Sequence, residues 1–424
     1  MNKICETHLN FDSSCFRIGI EQAVDWLARY GSDPAGGITR LLYSSSWQEA
    51  QTALAQRMKA SGLKTQYDDC GNLYGRLEGG GLAKEVILTG SHVDTVQNGG
   101  KYDGAYGILA GLIALEFLFE HFGTPLRTLE VVSLCEEEGS RFPLTYWGSG
   151  NLTGRYSTTA PPDIKDENGI TLQSAMHAAG FGQGAFTSPK RTDISRFIEL
   201  HIEQGFVLEK EQASIGIVEG IVGQRRYTVL VKGFANHAGT TPMKYRSDAL
   251  LGACEMIECI EHMSSSRSDP FVSTVGQFHV KPNSSNVIPG EVAFTIDIRD
   301  ANAGNLQDFS AEFQESFSGI AARRGLTVDI DEWMNMAPVF MNASMNQTLA
   351  SICQRRNLSY RSMYSGAGHD AQVIGSACPT TMLFVPSRGG VSHSPKEYSD
   401  AEDLAKGIAV LAEWLYIYGY TDFN

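Results

Sequence analysis

Short apolar runs that break off into histidines and carboxylates are the most constraining feature of this 424-residue chain. Residues 86–88 lead into Ser91-His92-Val93-Asp94-Thr95, and residues 129–134 into Glu136-Glu137-Glu138-Gly139. Phe197-Ile198-Glu199-Leu200 leads into His201-Ile202-Glu203. Runs this short and apolar read as buried strands. Side chains at strand ends of an open α/β sheet converge on one crevice, so positions far apart in sequence share a site. Tyr102-Asp103-Gly104 and Val391-Ser392-His393-Ser394-Pro395 add two more polar segments. The five together offer the ligand set of a hydrolase that holds two cations about 3.5–4 Å apart against a carbonyl.

The chain is too long for one ordinary core, and its pattern divides in two. Residues 1–222 and 337–424 have α/β character and are expected to form an α/β/α metal-binding domain. Between them, residues 223–336 read strand (227–231), helix (248–262), strand (271–280), strand (291–298), helix (306–324), strand (327–331). That β-α-β-β-α-β order is a complete ferredoxin-like unit, here an insertion. In the first part, Ser46-Trp47-Gln48-Glu49 has capping-box spacing and opens a helix with Ala50, Leu54 and Met58 on one face and Gly62 at its end. A hairpin is expected over 67–77, turning at Cys70-Gly71-Asn72, and an apolar helix over 104–119. Ser399-Asp400-Ala401-Glu402 is a second capping box, before a final helix that buries Leu404, Ile408, Leu411 and Leu415.

A net charge of −14 argues against nucleic acid or an anionic membrane as partner. Residues 1–16 mix Lys3, Glu6, His8 and Asp12, so no secretory leader is expected there. The most apolar stretch, 105–115, is too short to span a bilayer. Eight dispersed cysteines with no CxxC pair read as free thiols in a reducing cytoplasm.

Taken alone, a histidine at a strand end is usually structural, and Asp103 before Gly104 could cap a helix. Three successive glutamates ending a buried strand are harder to dismiss, because their mutual repulsion and desolvation call for a cation or a proton. Neighbouring glutamates can divide roles, one facing a metal and the other water. Imidazole with carboxylate suits zinc, manganese or cobalt. Asp94 is placed to orient His92 through the other ring nitrogen, with a turn-stabilising role as the rival reading.

Several longer stretches carry a resemblance: Asp33-Pro34-Ala35-Gly36-Gly37, Glu136-Glu137-Glu138-Gly139-Ser140-Arg141-Phe142, Leu200-His201-Ile202-Glu203-Gln204-Gly205, Val222-Gly223-Gln224-Arg225-Arg226-Tyr227, Asn236-His237-Ala238-Gly239-Thr240-Thr241-Pro242-Met243 and Ser365-Gly366-Ala367-Gly368-His369-Asp370. With them the chain resembles the M20 metallopeptidase-related family, in the amidohydrolase branch that holds N-carbamoyl-amino-acid hydrolases and β-ureidopropionases. The resemblance implies two divalent ions per subunit, Mn2+ or Zn2+ with Co2+ possible. Asp103 would bridge them, His92 and His201 would bind one, and Glu138 and His393 the other. Glu137 would be the general base and Glu136 would stand behind the ligands. In relatives a histidine like His237 reaches the active site of the other subunit and polarises the scissile carbonyl, which implies a homodimer with the inserted domain as lid and interface. Asn286 and Arg299 would contact substrate, the guanidinium fork matching a carboxylate, although Arg299 could instead be a salt-bridged strand-end residue with Asp297 and Asp300 nearby. Gln224 and His369 are further candidates, although Gln224 could equally be a polar hinge residue. The implied reaction is hydrolysis of a ureido C–N bond, with allantoate as substrate. N-carbamoyl-L-amino acids and β-ureidopropionate are alternatives, and small peptides or a non-catalytic role are more remote ones.

Overall fold

The computed structural model describes residues 11–34 and 36–422. Cys5, Ala35 and most of the segment expected to lack a leader lie outside the described residues. The chain divides into two compact units, residues 1–219, 341–363 and 369–424 in one and 220–340 with 364–368 in the other.

The larger unit is built on a mixed sheet in the order Lys64–Tyr67, Leu73–Leu77, Arg127–Leu134, Leu82–His92, Ile194–Ile202, Thr380–Val385, Ile215–Ile221. Its four central strands, Arg127–Leu134 through Thr380–Val385, run parallel. They carry the apolar runs seen in the sequence: Arg127–Leu134 and Thr380–Val385 are buried throughout, and Leu82–His92 and Ile194–Ile202 over their second halves, as parallel strands covered on both faces require. The strand leading to His92 begins earlier than expected, at Leu82, because its first four residues are only partly covered and lack the apolar signal. Helix Ala105–Phe122 packs on this sheet and against Ala401–Tyr420. It is long and apolar enough to cross a membrane, but most of it is enclosed in the core.

Both capping boxes are displaced. Helix Ser45–Ala60 is capped by Ser44, whose hydroxyl accepts the Trp47 amide, while the Ser46 hydroxyl donates to the Thr39 carbonyl. Helix Ala401–Tyr420 has Asp400 at its N-cap, with no side-chain capping bond. The hairpin is present as Lys64–Tyr67 paired with Leu73–Leu77. The Asp68 carboxylate accepts the amides of Cys70, Gly71 and Asn72 and so holds its turn.

The smaller unit is an antiparallel sheet in the order Thr327–Met336, Gly223–Lys232, Glu291–Asp300, Val272–Lys281. Helices Ala249–Ser265 and Ala303–Arg324 cover one face, each with an Asp or Asn N-cap, Asp248 and Asn302. Strict alternation sends Tyr227, Val229, Val231, Val292, Phe294, Ile296 and Ile298 to the helices. Leu306, Phe309, Phe313, Phe317 and Ile320 answer them at helical spacing. The other face carries Gln224, Arg226, Thr228, Thr295, Asp297 and Arg299, all half-buried.

Candidate metal centre

The parallel strands bring their carboxyl ends together, and the expected ligands stand there. His92 ends its strand, His201 is the penultimate residue of the next, and Glu136-Glu137-Glu138 follow Leu134 after Cys135. His393 lies in the loop after Thr380–Val385. Asp103 sits just before helix Ala105–Phe122. It does not cap that helix; the N-cap position belongs to Gly104, at φ 61°. A Cβ on Gly104 would lie 2.5 Å from the ring and from the carbonyl oxygen of His92, so only glycine lets the chain pass so close.

Asp103 organises the centre through its two oxygens. Oδ1 faces His92 Nε2 at 3.5 Å and His201 Nε2 at 3.2 Å. Oδ2 faces His393 Nε2 at 3.2 Å, and that nitrogen is 3.4 Å from Glu138 Oε1. Two donor groups therefore share one carboxylate, His92-Asp103-His201 and Asp103-Glu138-His393, with ligand atoms within 4.8 Å of one another. A third group of the same kind joins His92 to Glu137 and Glu138.

The tautomers test whether cations fit. His92 Nδ1 bonds the Asp94 carbonyl at 3.0 Å, and His201 Nδ1 bonds the Ile202 carbonyl at 2.9 Å. Each carbonyl needs the ring proton on Nδ1, so the neutral rings turn an Nε2 lone pair toward Asp103. Gly104 N–H donates to that atom of His201 at 3.1 Å. Lone pairs aimed at a buried carboxylate require a positive charge between them, either a proton or a metal. Burial works against a proton on His92 and His201, yet Asp103 outweighs it and raises both rings above the ordinary histidine range. His393, bonded to Asp103 and Glu138, is pushed up to about 10. Burial opposes ionisation of Asp103, but the three imidazoles hold it well below the carboxylate range. Imidazole nitrogens and carboxylate oxygens in two groups of three match divalent ions of the zinc and manganese kind.

Asp94 meets His92 at the expected ring nitrogen, but with its backbone. Its carbonyl, not its carboxylate, is the close partner of His92, the carboxylate oxygen being 3.6 Å from Nδ1. The carboxylate instead accepts the backbone amides of Glu137 and Glu138 at 3.0–3.1 Å and fixes where those side chains start. Burial, with Glu138, Asp370 and Asp94 nearby, drives the Glu137 carboxyl well above its usual range despite the opposing pull of His92. Glu136 is raised as well, chiefly by burial and by Asp94, and one of its oxygens accepts Ser140 N–H.

Sequence reasoning passed over Glu397 and Gln204. Glu397 accepts the amides of Tyr102 and Asp103 on one oxygen and the Ser392 hydroxyl on the other. It thus ties the Asp103 turn to the His393 loop. Burial and Asp103 push its carboxyl up to about 7. Gln204 donates its amide to Asp103 Oδ2 at 2.9 Å. The one local signal was Gln204 before Gly205: its φ is 57°, and Glu136 and His393 share the left-handed region at 52°. Strained backbone at three residues of one site is characteristic of functional geometry.

The remaining candidates divide between the units. His369 is buried in the larger one, edge-on to His201 with ring centroids 4.7 Å apart, and burial holds it well below the ordinary histidine range. In the smaller unit His237 and Asn286 lie together, since His237 pairs with Val287 and the Asn286 carbonyl accepts Ala238 N–H. His237 Nδ1 accepts the amides of Gly239 and Thr240 at 3.0 and 3.2 Å. Its proton therefore sits on Nε2, a ready hydrogen-bond donor on an exposed ring. Gln224 and Arg299 form another set, both bonded to Asp297.

Over 95% of its length the chain is 50% identical to the allantoate amidohydrolase of Bacillus subtilis (strain 168), covering 97% of that protein. It is 47% identical to that of Escherichia coli (strain K12), over 95% of this chain and 98% of that one. The crystal structure of an amidase of the hydantoinase/carbamoylase family from Burkholderia multivorans superposes with a TM-score of 0.90 at 33% identity, covering 94% of this chain and 97% of its own. Residues 88–416 match peptidase family M20/M25/M40, and the span takes in every residue of the centre from His92 to Glu397. The chain belongs to that family.

Proposed function

We propose that the protein is a two-metal hydrolase of ureido C–N bonds, with allantoate as its substrate, working as a homodimer in the purine-nitrogen economy of a reducing cytoplasm. The observation that carries the reading is Asp103 facing two separate donor pairs, in a chain half identical to allantoate amidohydrolases. Divalent ions held by these donors, manganese or zinc, supply Lewis acidity at a carbonyl and make water a stronger acid. Glu137, a carboxyl that burial raises well above its usual range, takes a proton from the attacking water and returns it to the departing nitrogen. His237, its proton fixed on Nε2, donates to the oxyanion that develops on the carbonyl, from the neighbouring subunit. Asn286, Gln224 and His369 contact the substrate, and Arg299 takes its carboxylate as a fork. Free thiols suit the compartment, as all seven described cysteines are unpaired.

Dimerisation is supported by the surroundings of His237. Phe234, Met243 and Tyr245 are 66–69% exposed in the chain segment that carries it, an apolar display that a second copy would cover. The testing experiment is ammonia release by the manganese-loaded protein, offered allantoate beside N-carbamoyl-L-amino acids and dipeptides. Strong preference for allantoate is expected. Turnover only of carbamoyl amino acids would keep the chemistry and overturn the substrate.

A further inference from the structure

The open face of the smaller sheet carries a cavity of about 620 Å³ lined by Arg226, Asp297, Arg299, Trp333 and threonines. Three of the face's side chains, Gln224, Arg226 and Arg299, converge on the carboxylate of a fourth, Asp297. Register makes this possible: Asp297 lies opposite Arg226 and Arg299 opposite Gln224 on paired strands, and alternation points all four to the same side. Asp297 Oδ1 accepts Arg299 Nε–H at 3.0 Å. Its Oδ2 accepts a terminal N–H of Arg299 at 2.9 Å, Arg226 Nε–H at 2.9 Å and the Gln224 amide at 2.8 Å. The other terminal nitrogen of Arg299 donates to the Gly366 carbonyl at 2.6 Å. Gly366 belongs to the Ser365-Gly366-Ala367-Gly368-His369-Asp370 run, one of those that carry the family resemblance.

Donor arithmetic shows what remains. A guanidinium has five N–H groups, and Arg299 has spent three, one on each nitrogen. Each terminal nitrogen keeps one N–H, the pair that a carboxylate accepts in two-pronged fashion. Asp297 also stands between two guanidiniums that would otherwise repel each other.

We infer that Asp297 is a positioning residue for substrate recognition: it locks the side of the Arg299 fork so that the free terminal pair meets the substrate carboxylate. The bland alternative is a surface ion pair, worth little and indifferent to substrate. Four donors on one carboxylate, and a brace from a loop distant in sequence, exceed what such a pair needs. The inference rests on Arg299 as the carboxylate reader.

The experiment measures kcat and KM on manganese-loaded Asp297→Asn, Asp297→Glu, Arg299→Ala and the Asp297→Asn/Arg299→Ala double variant. Allantoate and its carboxamide analogue are the substrates, and melting temperature is recorded throughout. Asp297→Asn is expected to raise KM for allantoate about tenfold or more with kcat little changed, and to leave kcat/KM for the carboxamide unaltered. In the Arg299→Ala background the same substitution adds nothing further. Should Asp297→Asn fail to fold, Asp297→Glu, which keeps the charge and displaces the fork by one methylene, carries the same expectation. Unchanged KM in Arg299→Ala would overturn the underlying assignment of Arg299. Raised KM in Arg299→Ala with unchanged KM in the Asp297 variants overturns the positioning role alone. An effect that persists without Arg299, or that falls equally on the carboxamide, makes Asp297 merely structural and overturns it too.

Discussion

At the scale of single residues, the proposed centre separates groups that hold from groups that react. Asp94 illustrates this: its carbonyl sets the His92 tautomer while its carboxylate anchors the backbone of Glu137 and Glu138. Glu137 then owes its raised pKa mainly to burial, and a carboxyl poised this way suits proton transfer. Replacing it by glutamine keeps volume and burial but removes the proposed base. Glu137→Gln is expected to lower kcat by a factor of about 100 or more. Its metal content, read by elemental analysis, stays near normal; loss of both together would make Glu137 a ligand instead. His393 yields a pH dependence. Its pKa rises from the ordinary 6.5 to about 10 in the metal-free fold, so its contribution to stability is complete below 6.5 and is lost as pH climbs through about 10. A metal ion displaces that same proton, so affinity should strengthen as pH rises across the window. Calorimetric titration with manganese at several pH values checks this, and His393→Ala should flatten the slope.

At the scale of elements, the small sheet and its two helices depend on one aromatic seam. Phe313 is fully buried, with ring centroids 5.1 Å from Tyr227 and 5.2 Å from Phe317. Phe313→Ala is expected to cost about 3–5 kcal/mol in denaturant unfolding of that unit. Every candidate metal donor lies in the other unit, so metal content of the folded protein should hold; its collapse would show the units to be more interdependent than their separate cores imply. These elements were legible because alternation and helical spacing are strong local signals, as Tyr227-Val229-Val231 and Phe309-Phe313-Phe317 show. Caps were less so: with serines at 44, 45 and 46, capping-box spacing favoured Ser46, whereas the chain uses Ser46 to hold Thr39. His92, His201 and the glutamates were readable as candidate ligands because each follows an apolar run, whereas Asp103 and His393 stand in polar segments. Glu397 was not readable, since its partners Tyr102 and Asp103 lie 295 and 294 residues away and only the folded loops bring them together. Asp297 was noticed only as a neighbour of Arg299, because its hold on Gln224 and Arg226 depends on strand register.

At the scale of the whole molecule, the proposed arrangement makes each active site the product of two chains, Glu137 from one and His237 from the other. That has a consequence no single-chain mechanism shares. Glu137→Gln and His237→Ala homodimers should both be nearly inactive, since every site in either lacks one of the two groups. Mixed dimers differ. The site on the Glu137→Gln chain would also meet the His237→Ala change of its neighbour and be doubly impaired, but the other site would pair an intact Glu137 with an intact His237. If the variants are unfolded, mixed in equal amounts and refolded as two-fold dimers, about half of the dimers are mixed, each with one sound site. Ammonia release should then recover to about a quarter of the unsubstituted rate. Were His237 to serve its own chain, or the protein to act as a monomer, no mixture could contain a complete site, and the rate would stay at that of the separate variants. The exposed Phe234, Met243 and Tyr245 give the same test a structural arm: charged substitutions there should split the dimer, seen as a halved mass by light scattering, and lower activity with it. Activity that survives in a demonstrably monomeric variant would remove His237 from the neighbouring site.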